Sequence, residues 1–224
     1  MHKLFRARIG ALAVLWLAGF TASYAAAPDI QEGKDYLVVA GPTESKSDKI
    51  VVTEFFSYQC PHCFAFSKPL RDWSAKLPSD VQFGRESVSI GHEGWVPIAR
   101  TYYVLRGMGK LEELDEKIFN AIHQQGLRLN DLPYIMGWLN QQKVPLNEFD
   151  VAYRGAKARE EYERGTQISM DYKIPSIPVM VIDGKYMVII ESNVDFAKQL
   201  GVVDKLIERA RVARRGGAVT KSKR

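Results

Sequence analysis

Apolar residues fall along this chain in two rhythms, and the switch between them marks out the elements. Short runs rich in β-branched and aromatic residues predict strands over 36–39, 50–56, 81–89, 179–182 and 186–190, with Val81, Phe83 and Val88 as inward choices in the third. Phe64, Phe66, Leu70, Trp73 and Leu77 instead form one stripe at helical spacing. They predict a helix from Cys60 to about Leu77 that opens on Pro61, where a missing N–H is no loss, and kinks at Pro69. From Trp95 to about Tyr172 the pattern is wholly helical. It predicts helices over 98–106, 111–122 and 132–143, the last capped by Asn130 or Asp131 with Pro133 in its first turn, and one or two more over 147–172. Asp183-Gly184 suits a two-residue type I′ hairpin turn. Asn193 is expected to cap a last helix through about Ala210, with Phe196, Leu200, Val203 and Leu206 on its buried face.

The order of these elements limits the architecture. Strand, helix, strand implies a parallel pair with a right-handed crossover. About 75 helical residues follow, and then a hairpin and a helix. That is the order of an α/β, thioredoxin-like fold with an inserted helical domain. The expected parts are a leader at 1–25, the first part of the thioredoxin-like domain at 26–92, the insert at 93–172, the second part at 173–210 and a basic, disordered tail at 211–224. The chain shows no internal repeat.

The ends carry the charge. Residues 1–27 read as an export signal: Lys3, Arg6 and Arg8, then an apolar stretch over 9–20, then small residues. Ser23-Tyr24-Ala25 is the preferred cleavage motif, because a cut after Ala27 would leave Pro28 at the new N-terminus. The rival reading is an uncleaved anchor. Only 12 residues separate Arg8 from Thr21, short of the ~20 that span a bilayer. The whole chain has a net charge of +5. Leaving aside three basic residues of the leader and six of the tail, residues 26–210 hold 22 basic against 26 acidic residues, a net of −4. A nucleic-acid reader would carry its basic face within the fold, so that class is disfavoured. The tail is either a solvated end or a loose contact for anionic lipid or acidic partners.

The chain's two cysteines stand in Cys60-Pro61-His62-Cys63, directly after the strand over 50–56. Export leads to an oxidising compartment, where a lone Cys-x-x-Cys in a chain of this size has no structural task. A helix whose first turn holds both sulfurs keeps them within bonding reach, and its unpaired N–H groups favour a thiolate on Cys60. His62 either donates to that sulfur or is a solvated loop histidine. Glu54, in an apolar strand, must be neutral, paired with a cation such as Arg85, or wet. Pro178, before the hairpin, is a cis proline beside the site or an edge-strand proline. His92 and His123 have no assigned role. Tyr58, Phe64, Phe66 and Trp95 read mostly as core, with one or two free to line an apolar groove. A Cys/His metal module built on Cys60, His62 and Cys63 is a rival of another class, but three ligands within four residues fit a closed zinc site poorly.

The segments Glu54-Phe55-Phe56-Ser57-Tyr58-Gln59-Cys60-Pro61-His62-Cys63 and Ile177-Pro178-Val179-Met180-Val181-Ile182-Asp183-Gly184-Lys185-Tyr186 resemble the DsbA family of periplasmic thiol:disulfide interchange proteins, part of the thioredoxin superfamily. The resemblance implies that Cys60 is the exposed nucleophile, forming a mixed disulfide that buried Cys63 resolves. It implies that Pro178 follows a cis peptide bond and, with Ile177 where the family often has Val or Thr, offers backbone to substrate. Glu54 takes the place of a buried acid beneath the disulfide, and Arg85 that of a nearby lysine. The implied function is a periplasmic dithiol oxidase that donates the Cys60–Cys63 disulfide to unfolded exported proteins with reduced cysteines. A membrane DsbB-like quinone reductase would reoxidise it. The implied protein is a monomer that binds no nucleic acid or metal and uses no cofactor besides its own disulfide. The alternative within the superfamily is a disulfide isomerase or reductase. Isomerases of that kind add an N-terminal dimerisation domain, for which the roughly 25 residues before the first central strand leave no room.

Overall fold

The computed structural model describes residues 30–41 and 47–221, with side chains to Arg215. The leader expected at 1–25 lies outside the described residues. Five strands form one sheet in the order β1-β5-β4-β2-β3: β1 (Leu37–Val38), β2 (Ile50–Phe56), β3 (Val81–Ser87), β4 (Val179–Ile182) and β5 (Tyr186–Ile189). β2 pairs parallel with β3 and antiparallel with β4, so the strand that leads into the cysteine motif is central. Asp183 and Gly184, between β4 and β5, both have positive φ, as a type I′ turn requires.

Strand alternation sorts the core into two halves. Ile50 and Val52 of β2, with Met180 and Ile182 of β4, join a cluster formed with Phe66, Leu70, Leu200, Val203 and Leu206. Phe55, Val179 and Val181 point to the other half, built largely from the helical insert. By this alternation Glu54, paired in register with Arg85 and Met180, lies on the face with Val52 and the first helix, α1 (Pro61–Ser74). α1 continues through Pro69 and ends three residues before Leu77.

The insert holds α2 (Val96–Gly107), α3 (Leu111–His123), α4 (Leu132–Gln141), α5 (Leu146–Arg154) and α6 (Ala156–Asp171). Asp131, rather than Asn130, caps α4 by accepting the Tyr134 N–H at 3.1 Å. The segment over 147–172 is two helices because Gly155 between them is extended, ending one and starting the next.

The last helix differs from expectation at both ends. α7 (Phe196–Lys221) begins three residues after Asn193, and Asp195 accepts the Ala197 N–H at 2.7 Å in the capping role. It also runs past Ala210, so the start of the expected disordered tail is helical. Two arginines explain this. Arg211 pairs with Asp80 at 2.5 Å, and Arg214 clasps Asp183 and donates to the Ser47 carbonyl at 2.8 Å. Among the described residues no helix is long and apolar enough to cross a membrane.

Candidate active site

β2 delivers the chain through Ser57-Tyr58-Gln59 to Cys60, the N-cap of α1. With Pro61 at the first helical position, Cys63 occupies the third, and its N–H points back at the Cys60 sulfur at 3.4 Å. A serine-like capping geometry thus aims a backbone donor at the reactive atom. Both cysteines are free thiols here. Hydrogen bonding from the Cys63 side chain, then from the Cys63 and His62 N–H groups, with His62 charge adding least, lowers the Cys60 pKa from 9.0 to about 6 against the opposing effect of burial. Cys63 moves the opposite way. Its burial, followed by the neighbouring Cys60 sulfur and Glu54, pushes its thiol well above the ordinary range. The two sulfurs are therefore chemically unequal.

On the other side of the Cys60 sulfur, 3.6 Å away, is the Ile177 carbonyl. The Ile177–Pro178 peptide is cis, and the Pro178 carbonyl accepts from Ile190 N–H at 3.0 Å, which anchors the loop to the sheet end. Pro61 and His62 are exposed, while Ile177 and Pro178 are buried.

Beneath the motif lies a buried charge network. Glu54 is fully buried, and Arg85 Nε donates to its Oε2 at 2.5 Å. Arg85 Nη1 donates to both oxygens of Asp115 on α3, at 2.8 and 2.9 Å, with its guanidinium 3.8 Å over the Phe56 ring. The Tyr58 hydroxyl donates to Asp115 at 2.5 Å. Burial raises the pKa of Glu54, outweighing the opposing pull of Arg85. Among the described residues no group of three or more His, Cys, Asp or Glu side chains is arranged to hold a metal ion.

Residues 51–200 match the family model of the DSBA-like thioredoxin domain. The chain belongs to the DsbA family. It is 32% identical over 202 residues to the thiol:disulfide interchange protein DsbA of Pseudomonas aeruginosa, covering 90% of this chain and 95% of that one. Against the Azotobacter vinelandii DsbA it is 32% identical over 216 residues, covering 95% and 100%. The crystal structure of Pseudomonas aeruginosa DsbA superposes with a TM-score of 0.76 at 31% identity, covering 82% of this chain and 95% of that one. The oxidoreductase DsbA of Xylella fastidiosa gives 0.75 at 26% identity, covering 82% and 98%.

As a DsbA-family member the protein is a thiol:disulfide oxidoreductase with a thioredoxin fold. The structure brings Cys60, Pro61, His62, Cys63, Ile177 and Pro178 together at one end of the sheet, with Glu54 and Arg85 beneath. Two placements differ from the sequence reading. Cys60, expected to be exposed, is only 5% accessible, because the Ile177 carbonyl and the Cys63 thiol crowd its sulfur. His123, given no role, stacks on Phe64 with ring centroids 4.8 Å apart, and its Nε2 lies 2.7 Å from the Tyr58 carbonyl. Asp115 was missed altogether. Nothing in its helical, charge-rich surroundings sets it apart from Glu112, Glu113 or Glu116 until the fold lays α3 beside Arg85. Tyr58 and Phe66 are core, and Phe64 and Trp95 are partly exposed.

Proposed function

We propose that this DsbA-family protein is a periplasmic dithiol oxidase that transfers its Cys60–Cys63 disulfide to newly exported proteins. A substrate thiolate attacks the Cys60 sulfur. The intramolecular S–S bond breaks, Cys63 leaves and takes up a proton, and a mixed disulfide joins Cys60 to the substrate. A second substrate thiolate then attacks the substrate sulfur of that bond and expels Cys60 as a thiolate. The substrate has lost two electrons and the protein has gained them. A membrane DsbB-like partner that passes electrons to quinone restores the disulfide by the reverse exchange.

The observation that carries this reading is the opposite displacement of the two thiols, Cys60 down to about 6 and Cys63 upward. A leaving group that is comfortable as an anion leaves faster, and a stabilised reduced form makes its disulfide a stronger oxidant. Glu54 is the proton donor and acceptor for Cys63, and the Ile177 backbone, with the Pro178 carbonyl already taken by Ile190, is the edge offered to an extended substrate segment. The periplasmic site rests on the export signal read in the leader.

The test compares oxidation of a reduced peptide bearing two cysteines with reduction of insulin, for the wild type and for Cys60→Ser. The oxidase reading expects rapid peptide oxidation by the oxidised wild type, and loss of both activities in Cys60→Ser. Efficient insulin reduction with the peptide left reduced would establish the reductase alternative instead. A redox equilibrium with glutathione places the protein on the same scale.

A further inference from the structure

We propose that Asp115, on the helical insert, is a positioning residue for thiol–disulfide exchange: by holding the Arg85 guanidinium it leaves Glu54 able to keep and exchange a proton beside Cys63. This rests on the oxidoreductase reading above and adds a residue outside the active-site motif.

One guanidinium serves two carboxylates, and it serves them unequally. Arg85 gives Glu54 a single contact, Nε to Oε2 at 2.5 Å, while Nη1 donates to both oxygens of Asp115. Tyr58 adds a further donor to Asp115 at 2.5 Å. The second oxygen of Glu54, Oε1, is buried with no hydrogen-bond partner. A buried carboxyl with one donor keeps its proton more readily than one on which several donors converge. Exposure acts in the same direction. The Glu54 side chain is 0% exposed and that of Asp115 is 22% exposed, at the wall of an open cleft of about 770 Å³ that Arg85, Arg71 and Glu116 also line. Two acids against one cation cannot both be ionised cheaply in this position, and Glu54 is the one that gives way.

The groups around Glu54 support the assignment. β3 supplies Arg85, α3 Asp115 and α1 Cys63. The turn before α1 supplies Tyr58, α2 supplies Tyr102, whose hydroxyl donates to the Arg85 carbonyl at 2.9 Å, and β4 supplies apolar Met180. Arg85 is the cation of that set, so whatever orients it decides the state of Glu54. When the disulfide opens, Glu54 gives its proton to the departing Cys63 sulfur and regains one from solvent. When it closes, Glu54 first returns that proton to solvent, and its carboxylate then takes the proton of Cys63 as that sulfur attacks Cys60. In Asp115→Asn the Arg85 fork is free to turn wholly onto Glu54 and fix it as a carboxylate.

The experiment is the pH profile of peptide oxidation by the full chain, for wild type, Asp115→Asn, Asp115→Glu, Glu54→Gln and the Glu54→Gln/Asp115→Asn pair. Asp115→Asn is expected to move the limb that depends on Glu54 to lower pH by about one unit. Asp115→Glu should restore it, and in the Glu54→Gln background Asp115→Asn should move nothing further. Infrared spectra recorded over the same pH range supply a second readout that is independent of turnover: a protonated carboxyl band that is lost in Glu54→Gln and that persists to higher pH in the wild type than in Asp115→Asn. A profile for Asp115→Asn that superimposes on the wild type, or an equal shift when Glu54 is already Gln, overturns the proposal alone. A wild type that cannot oxidise the peptide overturns the oxidase reading and the proposal with it.

Discussion

The Cys60 sulfur is the residue on which the energetics turn. Its pKa falls from 9.0 to about 6, and the sign of the consequence follows from linkage. A depressed acid stabilises the folded reduced protein fully above about pH 9. That contribution shrinks by about 1.4 kcal/mol per pH unit as the pH falls, and it is gone below about 6. The oxidised protein has no such thiolate. Urea unfolding of both forms should therefore show the stability of the reduced form relative to the oxidised one falling from pH 8 to about pH 6 and level below that, and a pH-independent difference would contradict it. The sequence placed a histidine between the sulfurs and offered it, beside the helix N–H groups, as one source of stabilisation. The structure ranks the Cys63 thiol and the helix N–H groups ahead of it. Only three-dimensional placement shows that the second sulfur is itself a donor to the first, and the same holds for Asp115 and His123, 57 and 65 positions from their contacts on Tyr58.

Elements were legible where a single periodicity runs unbroken. β2, β4 and the first four helices of the chain fall within a few residues of their expected ranges, because β2 and β4 are apolar runs buried on both faces and the helices carry apolar residues at helical spacing against the core. Boundaries set by side-chain hydrogen bonds were less legible, since Asn130 or Asp131, and Asn193 or Asp195, offer equivalent chemistry in sequence and differ only in which oxygen meets a free N–H. The caps themselves are testable. Asp131→Ala should lower stability by about 1 kcal/mol in urea unfolding, with Asn130→Ala nearly neutral, and the reverse order would shift the cap by one residue. Cys60→Ser replaces the capping sulfur of α1 by an oxygen acceptor, so it should fold as well as Cys60→Ala or better while being equally inactive.

Across the whole molecule the charges at the C-terminus belong to the fold. An acidic body and a basic end, read as separate from the sequence, meet where Arg211 reaches Asp80 and Arg214 clasps Asp183 and the Ser47 carbonyl. Charge counting could not show this, because the partners lie 131 and 31 positions away in the chain. Arg214, in the more enclosed pair, should matter more: Arg214→Ala is expected to cost about 1 kcal/mol in urea unfolding without moving the Cys60 titration. The sheet, the insert and α7 together hold the cysteine motif so that its leading sulfur is an anion at neutral pH. Titration of the reduced protein, followed by the ultraviolet absorbance of the thiolate and repeated with Cys63→Ala, measures this directly. A midpoint of about 6 that rises when the Cys63 donor is removed is the predicted result, and a wild-type midpoint near 9, the value of an unassisted thiol, would contradict the account.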